Sequence, residues 1–261
     1  RGAAGQRVTT FADLLQGIHD AVPSIKRLRF VTSYPRDFGD DILSVMRDCP
    51  RICRYLHVPV QSGSDRILKL MNRGYTVEQY EDFIERAISH LPDVSIAGDI
   101  IVGFPTETEE DFQMTCELID RIPFKNNFIF RYSPRPGTTA IDRFEDDVPE
   151  EIKKRRLNEL LEIQGKVSER VHAGWVGRQV DVFVEKEGQT ATGNSGRVQL
   201  GWQQPRVQVS GRTQGDLITV FDLPEGFAAE EAIGQILPVE IQSAGPRLLR
   251  GNLVCSEPSI T

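Results

Sequence analysis

The chain has little cysteine and no long apolar run. Its 261 residues include four cysteines, at Cys49, Cys53, Cys116 and Cys255. These are too few and too scattered for a disulfide scaffold, and they fit a reducing compartment. The sequence shows neither an apolar stretch of membrane-spanning length nor a signal segment that is first charged and then apolar. We therefore expect a cytoplasmic protein with no membrane partner. Because the chain opens on Arg1 rather than Met, we also expect the natural N-terminus to lie upstream.

An excess of positive charge is also missing. Lys and Arg number 31 against 38 Asp and Glu, which gives a formal charge of −7. A protein that binds nucleic acid through its bulk charge would have the opposite balance. Any contact with nucleic acid must therefore depend on a local patch of basic side chains.

The cysteine spacing does not provide a metal site. Cys49 and Cys53 have the C-x-x-x-C spacing that opens one type of iron–sulfur motif, but that motif needs a third cysteine where Leu56 stands. Two thiolates cannot hold the cluster. We therefore predict no metal ligands here and interpret both cysteines as small buried residues.

Strand and helix patterns alternate through the first two thirds of the chain. Helices are predicted at 11–21, 40–49, 76–91, 106–121 and from 148, and strands at 28–33, 55–60, 95–104 and 127–132. This order is typical of an α/β fold with a parallel sheet, and the units are too few to close an eight-stranded barrel. We expect a partial, split β/α barrel over residues 1–173.

Helical periodicity stops near Gly174. Short alternating segments follow at 180–184, 198–200, 206–210, 217–221, 239–241 and 248–254, separated by glycines. Five or six strands in so few residues predict a small OB-like β-barrel over residues 174–255, followed by a tail at 256–261. Such barrels often bind oligonucleotides. The candidate RNA-binding side chains of this module are Arg206, Arg212, Arg247 and Arg250.

Residues 55–74 change from a strand pattern to a helix pattern across a small polar turn. Ligands of α/β proteins collect where strands end and helices begin, so we expect the turn from Gln61 to Ser64 to line a site. Asp99 interrupts an apolar strand and needs a partner or a ligand.

These polar residues also have structural interpretations. Gln61 could cap the following helix, and Asp99 could pair with an Arg or Lys. Arg73 could be a solvated charge at a helix end. His57 shows no ligand spacing and receives a structural or surface role.

Four blocks of the sequence resemble a known family. They are His57 to Asp65 (HVPVQSGSD), Lys69 to Thr76 (KLMNRGYT), Asp99 to Phe112 (DIIVGFPTETEEDF) and Tyr132 to Thr138 (YSPRPGT). Together they resemble the radical-SAM methylthiotransferases, most closely the MiaB type, which methylthiolates N6-isopentenyladenosine at position 37 of tRNA. The resemblance covers nearly the whole chain, and the barrel looks like the TRAM domain that binds tRNA in that family.

The resemblance implies S-adenosylmethionine across the carboxyl ends of the strands. Gln61 and Asp99 would bind the ribose region of this cofactor, and Arg73 would pair with its carboxylate, since a guanidinium fork matches a carboxylate. The family also uses two [4Fe-4S] clusters, one to generate a 5′-deoxyadenosyl radical and one to carry the inserted sulfur. The ligands of both clusters are missing from this sequence.

We therefore predict a fragment of a methylthiotransferase that is inactive alone and whose partner is the tRNA anticodon stem-loop. Three alternatives remain open at this point. They are a naturally truncated paralogue, a non-catalytic RNA-binding protein that uses the TRAM-like module, and a methylthiotransferase for threonylcarbamoyladenosine-37 or for a protein residue.

Overall fold

A computed structural model describes residues 9–31, 38–188 and 207–254. They form two compact units that divide after Val167, within a long helix. The predicted domain limits, which place the boundary after residue 173, remain a prediction. The predicted strand at 198–200, together with Arg206 and Cys255, lies outside the described residues.

The first unit alternates helices with parallel strands, as the sequence pattern predicts. Its elements are α1 (Phe11–Ala21), α2 (Asp40–Asp48), β1 (Tyr55–His57), α3 (Asp65–Leu70), α4 (Val77–His90), β2 (Ser95–Val102), α5 (Glu109–Arg121), β3 (Phe124–Arg131), α6 (Thr139–Arg143) and α7 (Glu150–Ala173). The described sheet has the order β1-β2-β3, and both of its pairings are parallel. The expected partial β/α fold is confirmed.

Capping residues in the sequence set the beginnings of the main helices. Thr76 caps α4 in a capping box with Gln79, as predicted. Thr10 caps α1 in the same way, and Thr108 caps α5 with Asp111. These boxes satisfy N–H groups that have no partner within the helix.

The predicted strand at 28–33 is wrong in its described part. Leu28 makes one isolated parallel bridge to Ile52, and residues 29–31 form no strand. Tertiary packing has replaced the strand here, because Leu28 and Phe30 lie partly buried against the main core. That core also contains the fully buried Leu56, Ile96 and Phe124 of the three strands.

The second unit is a closed five-stranded barrel with the order β4-β5-β6-β8-β7. Its strands are β4 (Gln179–Glu187), β5 (Gln208–Arg212), β6 (Ile218–Asp222), β7 (Ile236–Ala244) and β8 (Leu249–Leu253), with the short helix α8 (Ala229–Ala232) before β7. A Cβ at Gly211 would lie 2.1 Å from the carbonyl oxygen of Phe183, so glycine allows two strands to approach closely. The predicted small barrel is confirmed.

Within the described ranges, no helix is both long enough and apolar enough to span a membrane.

Candidate functional site

A tight turn at the carboxyl end of β1 forms one side of the candidate site. Gln61 is buried and has a φ of 74°, a left-handed conformation that is uncommon outside glycine. Its N–H donates to the carbonyl of Asp99 at 2.8 Å, and its carbonyl accepts from Ile101 N–H at 3.0 Å. These two bonds place Gln61 beside Asp99, so the two predicted cofactor residues lie together.

Close packing against α5 fixes the rest of the turn. Gly63 N–H donates to the hydroxyl of Thr115 at 2.9 Å. A Cβ on Gly63 would lie 2.5 Å from the carbonyl oxygen of Met114 and 2.6 Å from Thr115 Cα. Both neighbours are backbone atoms, so only glycine fits without a shift of the turn or the helix.

Ser64, rather than Gln61, caps the following helix. The Ser64 hydroxyl accepts from Ile67 N–H, and it donates to Asp111 Oδ1 at 2.6 Å. The capping interpretation of Gln61 is therefore wrong, because its left-handed backbone and its pairing with β2 place it before the cap.

Asp111 ties the turn to α5. Its carboxylate also accepts hydrogen bonds from the Arg66 guanidinium and from Thr108 N–H, the latter at 2.9 Å. Burial acts to raise the pKa of Asp111, but the hydrogen bonds from Arg66, Ser64 and Thr108 outweigh it and hold the pKa well below its usual range. The carboxylate is thus ionised at neutral pH and holds the start of α3 in place.

Among the described residues, Asp99 pairs with His57 and not with an arginine or lysine, which were the partners of the structural alternative. Its Oδ2 lies 3.1 Å from His57 Nε2, and the other ring nitrogen of His57 lies 3.3 Å from the Tyr55 hydroxyl. The Asp99 side chain remains 28% exposed. The sequence interpretation missed His57. Strand alternation could have found it, because residues 55 and 57 share a face of β1 and Asp99 lies two residues beyond Ala97, the partner of His57.

A cavity of about 670 Å³ opens beyond the ends of β2 and β3. Arg73 lies in its wall together with Ile101, whose backbone bonds to Gln61. The Nε of Arg73 is buried with no hydrogen-bond partner among the described residues. Arg73 follows the end of α3, where its N–H donates to the carbonyl of Leu68 at 2.8 Å, so it lies both at a helix end and in the cavity wall.

The wall of this cavity combines aromatic rings with cations. The lining side chains of these two kinds are Arg73, Arg131, Arg135, Arg143, Phe104, Phe130, Tyr132 and Phe144. Phe104 packs edge-on against Tyr132 with ring centroids 5.1 Å apart. The cavity has no acidic lining residue in the part of the chain that the structure describes. It can therefore take a ligand with an apolar ring and an anionic group.

Those residues fit the nucleoside and amino-acid parts of S-adenosylmethionine. An orphaned guanidinium nitrogen needs an acceptor such as a carboxylate, and an exposed carboxylate suits paired hydroxyls. The described cysteines do not fit a cluster, since Cys49, Cys53 and Cys116 are all buried. Burial also raises the pKa of Cys116 to about 12, which disfavours the thiolate that a metal needs. No group of three metal-ligating side chains occurs in the described ranges.

The predicted RNA-binding arginines of the barrel differ in their environment. Arg247 and Arg250 are exposed. Arg212 is engaged in two ion pairs, at 3.3 Å with Glu185 and at 3.0 Å with Asp216.

Comparison with known proteins shows what this chain is similar to. Residues 5–119 match the model of the Radical SAM superfamily. Among solved structures, coproporphyrinogen III oxidase (HemN) from Escherichia coli, described as a radical SAM enzyme, aligns with a TM-score of 0.46 and 22% identity over 54% of this chain and 32% of its own. That overlap is too limited to add to the fold described above.

Curated relatives show which enzymes the chain resembles along nearly its whole length. The chain is 42% identical over 97% of its length to a tRNA-2-methylthio-N(6)-dimethylallyladenosine synthase from Rhodopirellula baltica, of which it covers 50%. It is 43% identical over 93% of its length to the synthase of that name from Christiangramia forsetii, of which it covers 46%. The chain thus spans about half the length of the curated relatives it matches. The resemblance to the radical-SAM methylthiotransferases is confirmed.

Proposed function

We propose that this chain is part of a radical-SAM methylthiotransferase that modifies N6-isopentenyladenosine at position 37 of tRNA. The observation that carries the proposal is a cavity lined by Arg73, whose Nε has no hydrogen-bond partner among the described residues, and by Ile101, whose N–H donates to the Gln61 carbonyl. The names of its relatives give the substrate class. The parent enzyme would use two [4Fe-4S] clusters, which supply the radical and the sulfur and are held by residues outside this chain.

In this proposal, the chain's own residues bind and orient S-adenosylmethionine. Asp99 accepts hydrogen bonds from the ribose hydroxyls, and Gln61 holds the same region from the neighbouring strand. Arg73 pairs with the carboxylate of the amino-acid tail. The apolar side chains of Ile101 and Phe130 line the same cavity as Arg73 and offer it an apolar surface.

We further propose that residues 174–255 are a TRAM-like module that contacts the tRNA anticodon stem-loop in the cytoplasm. The proposal is supported by the closed five-stranded barrel and by the exposed cations Arg247 and Arg250. Residues 1–173 would then be the catalytic-domain part of the chain, and residues 256–261 a tail.

Binding of two cofactor analogues tests the role of Arg73. S-adenosylhomocysteine carries the aminocarboxylate tail, and 5′-methylthioadenosine lacks it. We expect Arg73→Met to weaken S-adenosylhomocysteine binding by about tenfold, the loss of one charged hydrogen-bonding group, and to leave 5′-methylthioadenosine binding unchanged. Ligand-observed NMR titration measures both. Arg121→Met is the matched control, since Arg121 pairs with Glu81 on the helix surface. Failure of the wild-type chain to bind either analogue would refute the cofactor site.

RNA binding is tested separately, with anticodon stem-loops that carry or lack the isopentenyl group at position 37. We expect salt-dependent binding and a preference for the alkylated loop. Equal affinity for unrelated RNA would contradict the proposed substrate.

A further inference from the structure

Three polar side chains form a row on one face of the sheet. The Tyr55 hydroxyl lies 3.3 Å from His57 Nδ1, and His57 Nε2 lies 3.1 Å from Asp99 Oδ2. The His57 side chain is 13% exposed and that of Asp99 is 28% exposed. The ring of Phe128 lies beside His57, with centroids 5.8 Å apart. The imidazole is therefore the more enclosed of the two groups, and the carboxylate is the more exposed.

With a neutral His57 ring and an ionised Asp99, the chemistry of the three groups gives each hydrogen bond one direction. An ionised carboxylate only accepts, so His57 Nε2 carries the proton that is donated to Asp99. In the neutral ring Nδ1 then accepts, and it takes the bond from the Tyr55 O–H. This arrangement selects one tautomer and engages one of the two carboxylate oxygens of Asp99. Oδ1 takes no part in this bond.

We infer that His57 is a positioning residue, which orients the Asp99 carboxylate so that it can accept hydrogen bonds from a pair of vicinal ribose hydroxyls. The inference deepens the proposed function and rests on it. A carboxylate on an exposed strand face would otherwise rotate freely and lose entropy when it bound a diol. The bond from His57 removes that freedom before the ligand arrives. His57 itself does not need to touch the ligand.

Adenosine and 2′,3′-dideoxyadenosine separate this role from a purely structural one, because they differ only in the hydroxyl pair. The experiment uses the whole chain, with the affinities of both ligands measured by ligand-observed NMR titration. We expect the wild-type chain to prefer adenosine. His57→Ala should weaken adenosine binding by about tenfold, the loss of one well-placed hydrogen-bonding arrangement, without changing the binding of the dideoxy ligand.

Further variants test whether His57 acts through Asp99. His57→Gln restores an N–H donor and should recover most of the preference. In an Asp99→Ala background, His57→Ala should have no further effect, because the two residues act as one unit. His90→Ala is the matched control, a half-buried histidine in the last turn of α4. Nitrogen chemical shifts of the His57 ring should report the Nε2–H tautomer and should move when adenosine is added.

Different results would contradict the role of His57, the proposed cofactor site, or both. If His57→Ala keeps the full preference while Asp99→Ala loses it, the role of His57 is overturned and the cofactor site stands. His57→Ala could instead weaken the binding of both ligands equally and lower the unfolding temperature, with no recovery in His57→Gln. His57 would then have only a structural role. If the wild-type chain binds neither nucleoside, the proposed site and the inference fail together.

Discussion

The two units of this chain use arginine in opposite ways. In the α/β unit, Arg156 is buried and bonds to Glu107 at 2.7 Å, and Arg73 has a buried Nε in a cavity wall. In the barrel, Arg247 and Arg250 project into solvent. A buried guanidinium with fixed surroundings recognises one shape of anion, whereas exposed cations attract any polyanion. This difference fits the proposed cofactor pocket in the α/β unit and the proposed RNA contact of the barrel.

The α/β unit also contains the more constrained backbone. Its turn from Gln61 to Ser64 has a left-handed residue and a glycine against a helix backbone, and Ser64 bonds to the buried carboxylate of Asp111 in α5. Each feature holds a polar group in place at the strand end. Substitutions in this turn should therefore affect both stability and ligand binding, whereas substitutions of the barrel arginines should affect binding alone.

The largest effect is expected from Gly63→Ala. The added Cβ would meet the backbone of Met114 and Thr115 at 2.5 and 2.6 Å, and backbone atoms cannot rotate away. We expect a loss of about 3 kcal/mol in the free energy of unfolding, together with loss of nucleoside binding. Urea unfolding followed by circular dichroism measures the first effect, and NMR titration measures the second.

Gly165→Ala provides the matched control for that substitution. Gly165 lies inside α7, and its added Cβ would meet nothing within 4 Å. We expect a gain of up to about 1 kcal/mol, since alanine is the better helix former. A similar loss in both variants would show that close packing at the turn is not the cause.

A smaller, pH-dependent effect is expected from Asp111→Asn. The folded pKa of Asp111 is lowered from its ordinary value of 3.8, so its ionised form stabilises the native state. That stability is fully present above the unfolded pKa and is lost as the pH falls through the folded pKa. The variant should be less stable by about 2 kcal/mol at pH 7, and the difference should shrink below pH 3.8.

Unfolding free energies measured from pH 7 down to pH 2 check this prediction. Glu110→Gln serves as the control, because Glu110 is an exposed acid in the same helical turn. A difference between wild type and Asp111→Asn that stays constant over the whole range would contradict the assigned ionisation of Asp111.

Local rules predicted much of this structure, and the failures have a common physical origin. The capping box at Thr76 and the strand-to-helix change after Tyr55 depend on neighbouring residues, so the sequence contains them. The pairing of His57 with Asp99 joins residues 42 positions apart, which depends on strand register rather than on local pattern. The isolated bridge at Leu28 likewise reflects tertiary packing that outweighed a strand pattern.

The smallest effect is expected from the barrel arginines, of which Arg247 and Arg250 are exposed and Arg212 is held in ion pairs. Arg247→Ala and Arg250→Ala should each weaken binding of the anticodon stem-loop by a few fold and reduce the slope of log affinity against log salt concentration by about one. Arg212→Ala should change RNA binding less, because Arg212 must first leave Glu185 and Asp216 to reach a phosphate. Fluorescence anisotropy over a salt series measures all three. If Arg212 instead produced the largest change in slope, its ion pairs would serve to orient it toward RNA, and the RNA-binding surface would move to the β5 side of the barrel.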